Sequence, residues 1–485
     1  MLQLLSRNEG NGAEPTVRIL ACATSNSATD LLVERLSSTV GEQRMFRFNG
    51  FNRNKDTMQK KELLMRYSRY DEEEQCFPAP LLATMLEFEV VAVTLTHSTE
   101  LLSIGVPKGH FTHIFIDECG HADESESFIP LAGLVTKDTC VVLSGDPKQL
   151  GPQIRSPIAG RFGLGVSWIE RLVNDRADVA QGELEIRAKA NSFVIPTIEQ
   201  SPYARAEEHS ATGLYNARYI TKLLDNYRSH AELLTVPNKL FYHSELVPCA
   251  AEAQQNLLLG FKQLPNPAVP FVFIGTDGQN CQEADSASFF NPDEVIEVVR
   301  QVRALTTQYP PQKLPREEIA IITPYRKQVQ KLRTALRMLK LSDAIKVGTV
   351  EEFQGQERSV IIISTVRSHL GVDVDPENKS TIGFLSNPKR FNVAVTRAKS
   401  LLIVVGDPAM LKQDPCWLEL LRHAKEKDAY KGVNWADQEL EGDEDNSEEG
   451  DGGEESEEQS ESTDDDTSEY DFAEAAEETP LQRKN

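Results

Sequence analysis

The chain has no apolar run approaching the ~18 residues of a membrane span, and its first residues lack the basic-then-apolar order of a secretory signal. Both absences predict a soluble intracellular protein with no membrane partner. Cysteine is sparse: seven residues, at 22, 76, 119, 140, 249, 281 and 416, never spaced as Cys-x-x-Cys. An odd, scattered set argues against a disulfide framework and a zinc site, and suits a reducing compartment. Basic charge is missing from one stretch above all: Asp437 to Glu478 holds 22 acids and no Lys or Arg. Setting these aside with Arg483 and Lys484, the 75 acids and 51 bases of the whole chain reduce to 53 and 49 over residues 1–436. Of the net charge of −24, all but −4 therefore belongs to the tail. Rich in Glu, Asp, Ser and Gly, residues 433–485 cannot bury enough surface to offset their ordering entropy and are expected to be disordered. They act either as a solvating appendage or as a mimic of nucleic acid.

What is present is a series of short β-rich runs separated by helical patterns. The runs are VRILACA (17–23), VVAVTL (90–95), HIFID (113–117), CVVLSGD (140–146), FVFIG (271–275), IAIITP (319–324), SVIIISTV (359–366) and LLIVVGD (401–407). SATDLLVERLSS, YITKLLDNYRSHAELLTVPNKLFY and PDEVIEVVRQVRAL read as helices between them. This alternation predicts an α/β fold with parallel sheets. Residues 172–217 are polar and aperiodic, an insertion that divides two comparable units, 1–221 and 222–432. Each unit ends a strand in Gly-Asp-Pro, at 145–147 and 406–408.

In FTHIFIDECGH (111–121) an apolar run stops abruptly at Asp117 and Glu118. In parallel sheets ligands gather beyond the carboxyl ends of the strands, where these acids would lie. One strand later SGDPKQLGP (144–152) forms a tight loop whose Gln149 can donate to a phosphate and accept from a water. Two acids and a polar loop on neighbouring strands meet the needs of nucleoside triphosphate hydrolysis. In the second unit Arg228 is expected in an amphipathic helix and Arg397 after an apolar segment. Each could pair with a surface acid or present its fork to phosphate oxygens. Arg44 to Tyr70 carries eight Lys or Arg against two acids, interleaved with Phe46, Phe48, Phe51, Tyr67 and Tyr70. That pattern fits either an RNA-stacking surface or a solvated helix with a few core aromatics.

DECG, GDPKQLGP, NYRSH, EEFQGQE and VAVTRAK, in this order, resemble motifs II to VI of superfamily 1 helicases, with TSNSATDLL (24–32) similar to motif Ia and VAVTLTHS (91–98) to Ic. The likeness is strongest to the Moloney-leukaemia-virus-10-like, or Armitage, branch of RNA helicases, over about residues 17–432 outside the insertion. It implies two RecA-like units with ATP and Mg²⁺ between them. By resemblance, Asp117 is the Mg²⁺ acid and Glu118 the base that activates water. Gln149, Arg228, Glu357 and Arg397 bind or sense the γ-phosphate, Gly355 belongs to the same nucleotide-binding motif, and Tyr227 stacks on the base. Thr94, Thr349 and the turn Pro324–Tyr325–Arg326 are implied contacts to single-stranded RNA. The family usually has Ala where Cys119 stands, and a small residue is kept. The resemblance also implies Argonaute-type silencing proteins and mRNA decay factors as partners, in the cytoplasm or its ribonucleoprotein granules.

One expected element is lacking. No Gly-Lys-Ser or Gly-Lys-Thr occurs in the 485 residues, although a glycine-rich phosphate loop should precede the acids. MLQLLSR resembles the tail of the helix that follows that loop, so the first unit is expected to be truncated before it. The chain is then an ATP-dependent RNA helicase core that is inactive by itself or, alternatively, a non-hydrolysing RNA-binding or scaffold isoform.

Overall fold

A strand buried on both faces needs an unbroken apolar run, and all eight runs read from the sequence become strands in the computed structural model. It describes residues 1–9, 16–58, 60–173, 219–283, 286, 288–342, 344–369 and 383–436. Most of the expected insertion and the acidic tail from 437 onward lie outside these. In chain order the first strands are β1 (Ile19–Ala23), β2 (Met45–Arg47), β3 (Val90–Thr94), β4 (His113–Asp117) and β5 (Cys140–Leu143). They pair in parallel in the order β2-β3-β1-β4-β5. The later strands are β6 (Phe271–Gly275), β7 (Ile319–Ile322), β8 (Lys346–Gly348), β9 (Arg358–Ser364), β10 (Ala398–Gly406) and β11 (Tyr430–Gly432). These form a second parallel sheet in the order β8-β7-β9-β10-β6-β11. The fold is therefore α/β with two RecA-like parallel sheets, and Met1–Trp435 form one compact unit.

Helices cover the faces. After β1 comes α1 (Asn26–Ser37), whose first turn is closed by Ser25 Oγ accepting from the Ala28 N–H at 3.2 Å. α2 (Glu124–Leu134) follows β4, capped by Asp123. On the second sheet α3 (Ala231–Phe241), α6 (Pro388–Val395) and α7 (Pro415–Glu426) pack on one face, and α4 (Pro292–Gln308) and α5 (Arg326–Met338) on the other. α4 shows how sequence makes the element. Asn291 accepts from the N–H groups of Asp293 and Glu294, Pro292 opens the first turn, and Val298, Val302 and Leu305 fall on one buried stripe.

Two expectations are corrected. The run YITKLLDNYRSHAELLTVPNKLFY is helical only from Ala231, so Arg228 sits in a turn and not in a helix. Asn226 Oδ1 accepts from the N–H groups of both Arg228 and Ser229 at 2.9 Å, a local turn that competes with the helix, and His230 then caps α3. At the other end, Trp435 is buried in the core of the second sheet, so ordered packing continues past the expected boundary at 432.

Candidate functional site

β4 lies between β1 and the edge strand β5, so Asp117 and Glu118 leave the first sheet at its carboxyl end, one strand in from the edge. Ser144 Oγ, just past β5, donates to Asp117 Oδ1 at 2.6 Å. Glu118 has φ +53°, in the left-handed region that costs a non-glycine residue about 1–3 kcal/mol and tends to persist where function needs it. The turn after it packs backbone to backbone against the next loop. A methyl group on Gly120 would lie 2.8 Å from the Asp146 carbonyl oxygen, and one on Gly145 would lie 2.8 Å from the Gly120 nitrogen. Burial, reinforced by neighbouring Asp117, pushes the Glu118 carboxyl above its ordinary range, opposed by the Arg397 charge and a hydrogen bond from Gln354.

The opposing wall comes from the second sheet. Arg397, at the junction of α6 and β10, is 1% exposed, yet its guanidinium donates to Gln149 Oε1 of the first sheet at 3.2 Å. Burial lowers its pKa to about 10, helped by the nearby Arg228 charge and resisted by Tyr242, Glu118 and Glu357. Arg228 pairs with Glu357. Burial works to raise the Glu357 carboxyl, but the charge and hydrogen bond of Arg228, with Lys399 and Arg397, hold it below the usual range. Gly355, at φ +67°, brings the backbone so close that an added methyl group would sit 3.8 Å from Glu118 Oε1. Tyr227 is exposed beside this group, its hydroxyl donating to Asp225 at 3.1 Å. Thus the acids, Gln149, Arg397, Gly355, Arg228 and Glu357 form one connected group, and Tyr227 stands at its open side.

Sequence reasoning missed three members of the junction. Asp146 Oδ2 accepts from Gln149 Nε2 at 2.9 Å and from the Tyr242 hydroxyl at 2.8 Å. Asn392 donates to Tyr242 at 2.7 Å and to the Lys148 carbonyl at 2.9 Å. Burial and Asp146 push the Tyr242 phenol up, so it stays a donor. The available signal was Asn392 itself, a polar residue in the apolar segment before Arg397.

A cavity of about 1660 Å³ runs between the loop 150–155 of the first sheet and the carboxyl edge of the second. Pro324, Tyr325, Arg326 and Thr349 line it; Thr94, the last residue of β3, does not. The Arg44–Tyr70 stretch resolves toward packing. Phe46, Phe48 and Tyr67 are buried, and Arg47 and Arg53 both bind Asp30. Arg44, Lys55, Lys60, Lys61 and Arg66 pair with Glu89, Glu72, Glu34, Asp56 and Glu42. Most of these acids come from outside the stretch, so a count within it could not see them.

Among the described residues no helix is long and apolar enough to cross a membrane. An AAA domain matches residues 49–157 and another residues 199–409. The chain is 41% identical over 450 residues to the putative helicase MOV-10 of Gallus gallus, covering 88% of this chain and 43% of that protein. It is 41% identical over 424 residues to the RNA helicase Mov10l1 of Homo sapiens, covering 87% and 32%. With the probable RNA helicase armi of Drosophila melanogaster it shares 33% identity over 448 residues, 87% of this chain and 35% of that one. The chain spans less than half the length of these relatives. With the motif order and two parallel sheets in place, these likenesses over most of the sequence mean that the chain belongs to the MOV-10, Mov10l1 and Armitage family of superfamily 1 helicases.

Proposed function

We propose that the cleft between the two sheets is the ATP-hydrolysing and RNA-gripping centre of an RNA helicase core, with residues 1–221 and 222–432 as its two working units. The observation that carries this reading is the contact of buried Arg397, from the second unit, with Gln149 of the first, beside the raised carboxyl of Glu118. A carboxyl with a raised pKa is the stronger base, suited to taking a proton from an attacking water. Arg397 and Arg228 would meet the γ-phosphate oxygens, with Gln149 and Glu357 orienting them, and a well-placed arginine in this role is worth ~10³–10⁵ in rate. Tyr227, exposed beside them, offers a face to the nucleotide base, and Gly355 leaves room for close approach.

Mg²⁺ is commonly held by one or two carboxylates together with phosphate oxygens. Asp117, a carboxylate at the carboxyl end of β4 oriented by Ser144, fits one protein donor of such a set, completed by phosphate oxygens. The ion would neutralise charge developing on the phosphates. Single-stranded RNA would follow the cavity wall of Pro324, Tyr325, Arg326 and Thr349, and Thr94, which lies outside this cavity, would be met only where the strand continues onto the first unit. Silencing and decay proteins of the Argonaute-associated kind, in cytoplasmic granules, are the partners this reading anticipates.

The phosphate donors of a Gly-Lys-Ser/Thr loop are not in the 485 residues, so the test supplies one. RNA-stimulated ATP hydrolysis is measured on the chain preceded by a strand–GxxxxGK[ST]–helix segment, beside its Glu118→Gln and Arg397→Ala variants. Each substitution is expected to lower turnover by at least ~100-fold. Unchanged turnover in both variants overturns the reading.

A further inference from the structure

The expected RNA contacts in the second unit share a position in the sheet. Pro324, Tyr325 and Arg326 follow β7, and Thr349 follows β8, each just beyond the carboxyl end of its strand. β9 is the next strand in the order β8-β7-β9, and the residues beyond its end are Thr365, Val366 and Arg367. Arg367 lines the same cavity as the other four. Its guanidinium lies over the Phe289 ring, 4.4 Å from the centroid, and Tyr325 meets that ring edge-on at 5.6 Å. Arg367 and Tyr325 are only 5% and 6% exposed, and the guanidinium covers the Phe289 ring, so what this group offers the cavity is a held positive charge for a phosphate and not an open ring for stacking.

The backbone at this point is held in an uncommon conformation. Val366 is fully buried at φ +74°, where a β-branched residue is a genuine outlier. Both of its peptide groups are tied. Glu294, wholly buried near the start of α4, accepts the Val366 N–H through both carboxylate oxygens at 2.8 and 3.0 Å. Asn291 Nδ2 donates to the Val366 carbonyl at 3.3 Å. Ser364 Oγ donates to Glu294 at 2.5 Å, and Gln328 of α5 joins Ser364 to Asn291. A buried network spanning α4, α5 and β9 thereby fixes the residue before Arg367.

We propose that Arg367 is a backbone-phosphate contact for single-stranded nucleic acid in this cavity, and that Glu294 is its positioning residue, acting through the left-handed turn at Val366. The inference rests on the proposed function and adds one strand to its contact row. The contact reads phosphodiester charge, so RNA and DNA single strands are both bound through it.

The test measures binding of labelled oligo(U) and oligo(dT) to the full 485-residue chain by fluorescence anisotropy over a salt series. Arg367→Gln is expected to weaken both ligands about tenfold. The slope of log affinity against log salt should flatten by about 0.7, the loss of one phosphate contact on a single strand. Arg367→Lys keeps the charge but not the fork, so it should retain the slope and recover only part of the affinity. Glu294→Gln should weaken binding in the wild-type background and add nothing in the Arg367→Gln background, whereas a general loss of packing would add in both. Thermal midpoints qualify the variants; if Arg367→Gln fails to fold, Arg367→Lys decides, and wild-type affinity in it counts against a guanidinium contact. Arg326→Gln separates the two levels of claim. If it weakens binding while Arg367→Gln matches wild type in affinity and slope, the inference falls alone. If the wild-type chain binds neither oligonucleotide, the reading of the cleft falls and takes the inference with it.

Discussion

In the second sheet the interior strands β6, β7, β9 and β10 are buried almost end to end, whereas β5, which carries the GDPKQLGP loop in the first, is an edge with Cys140 exposed and Val141, Val142 and Leu143 half buried. The acids thus stand one strand from the open edge of the first sheet. Part of their surroundings comes from the other sheet: buried Arg397 and Asn392 and half-buried Tyr242 reach across as donors onto Gln149, the Lys148 carbonyl and Asp146. The two Gly-Asp-Pro turns show the same division. Asp407 is buried beside the second sheet, capping the next helix and accepting from Ser368 and His369 on the same side, while Asp146, after the first sheet's β5, accepts from Tyr242 on the side of the second. At this junction the residues around the second sheet supply the donors and the loop after β5 supplies the acceptors.

The sharpest way to break this comparison is to remove equivalent apolar groups from each side. Val272→Ala, in the wholly buried β6, should cost about 2–3 kcal/mol, and Val142→Ala in β5 about 1 kcal/mol or less, since its side chain is already partly in water. Urea unfolding of both variants checks this. Equal losses would mean that β5 is covered in solution. A smaller effect tests the contact between the sheets. Tyr242→Phe removes one hydroxyl that donates to Asp146 and accepts from Asn392, so stability should fall by about 1–2 kcal/mol. Hydrogen exchange should quicken at residues 146–149 while the interior of β10 keeps its protection. Uniform quickening would show that the hydroxyl serves the core and not the junction.

The gentlest probe is pH. Burial raises the Glu294 carboxyl from 4.5 to about 8, and the Asp407 charge adds to this, against hydrogen bonds from Ser364, Val366 and Thr365. A raised folded-state value means the folded chain keeps a proton that the unfolded chain releases above about 4.5. The stabilisation is complete below that pH and is lost progressively as pH climbs toward 8. Urea midpoints should therefore decline from pH 5 to pH 8 in the wild type, and decline less in Glu294→Gln. Parallel declines would assign the dependence to other groups.

Most of the fold was legible because parallel strands covered on both faces must be continuous apolar runs, as FVFIG and LLIVVG are, while HIFID is buried on one face and half buried on the other. The three-residue strands Met45–Arg47, Lys346–Gly348 and Tyr430–Gly432 were not, since each is too short and mixed to show a period. Local turn chemistry at Asn226 overrode a helical pattern around Arg228. The acids, Gln149 and the arginines were singled out by strand ends and motif order, and the structure brings them together. Tyr242, Asn392 and Arg367 escaped because their meaning lies in partners distant in sequence: Asp146 for the first, the Lys148 carbonyl for the second, and Phe289 with the Glu294 network for the third.

The central claim, that the acids and arginines of this cleft turn over ATP once phosphate donors are supplied, is tested most directly by one comparison. RNA-stimulated ATP hydrolysis is measured on residues 1–485 and on the same chain preceded by a strand–GxxxxGK[ST]–helix segment, each with a Glu118→Gln control. Losing one preorganised donor costs ~3–4 kcal/mol in comparable sites, so the absence of the whole cradle should exceed what Arg228 and Arg397 can recover. The expected result is negligible turnover by residues 1–485 and robust, Glu118-dependent turnover by the extended chain. Comparable Glu118-dependent turnover by both would contradict it, because some other segment of the 485 residues would then have to hold the phosphates.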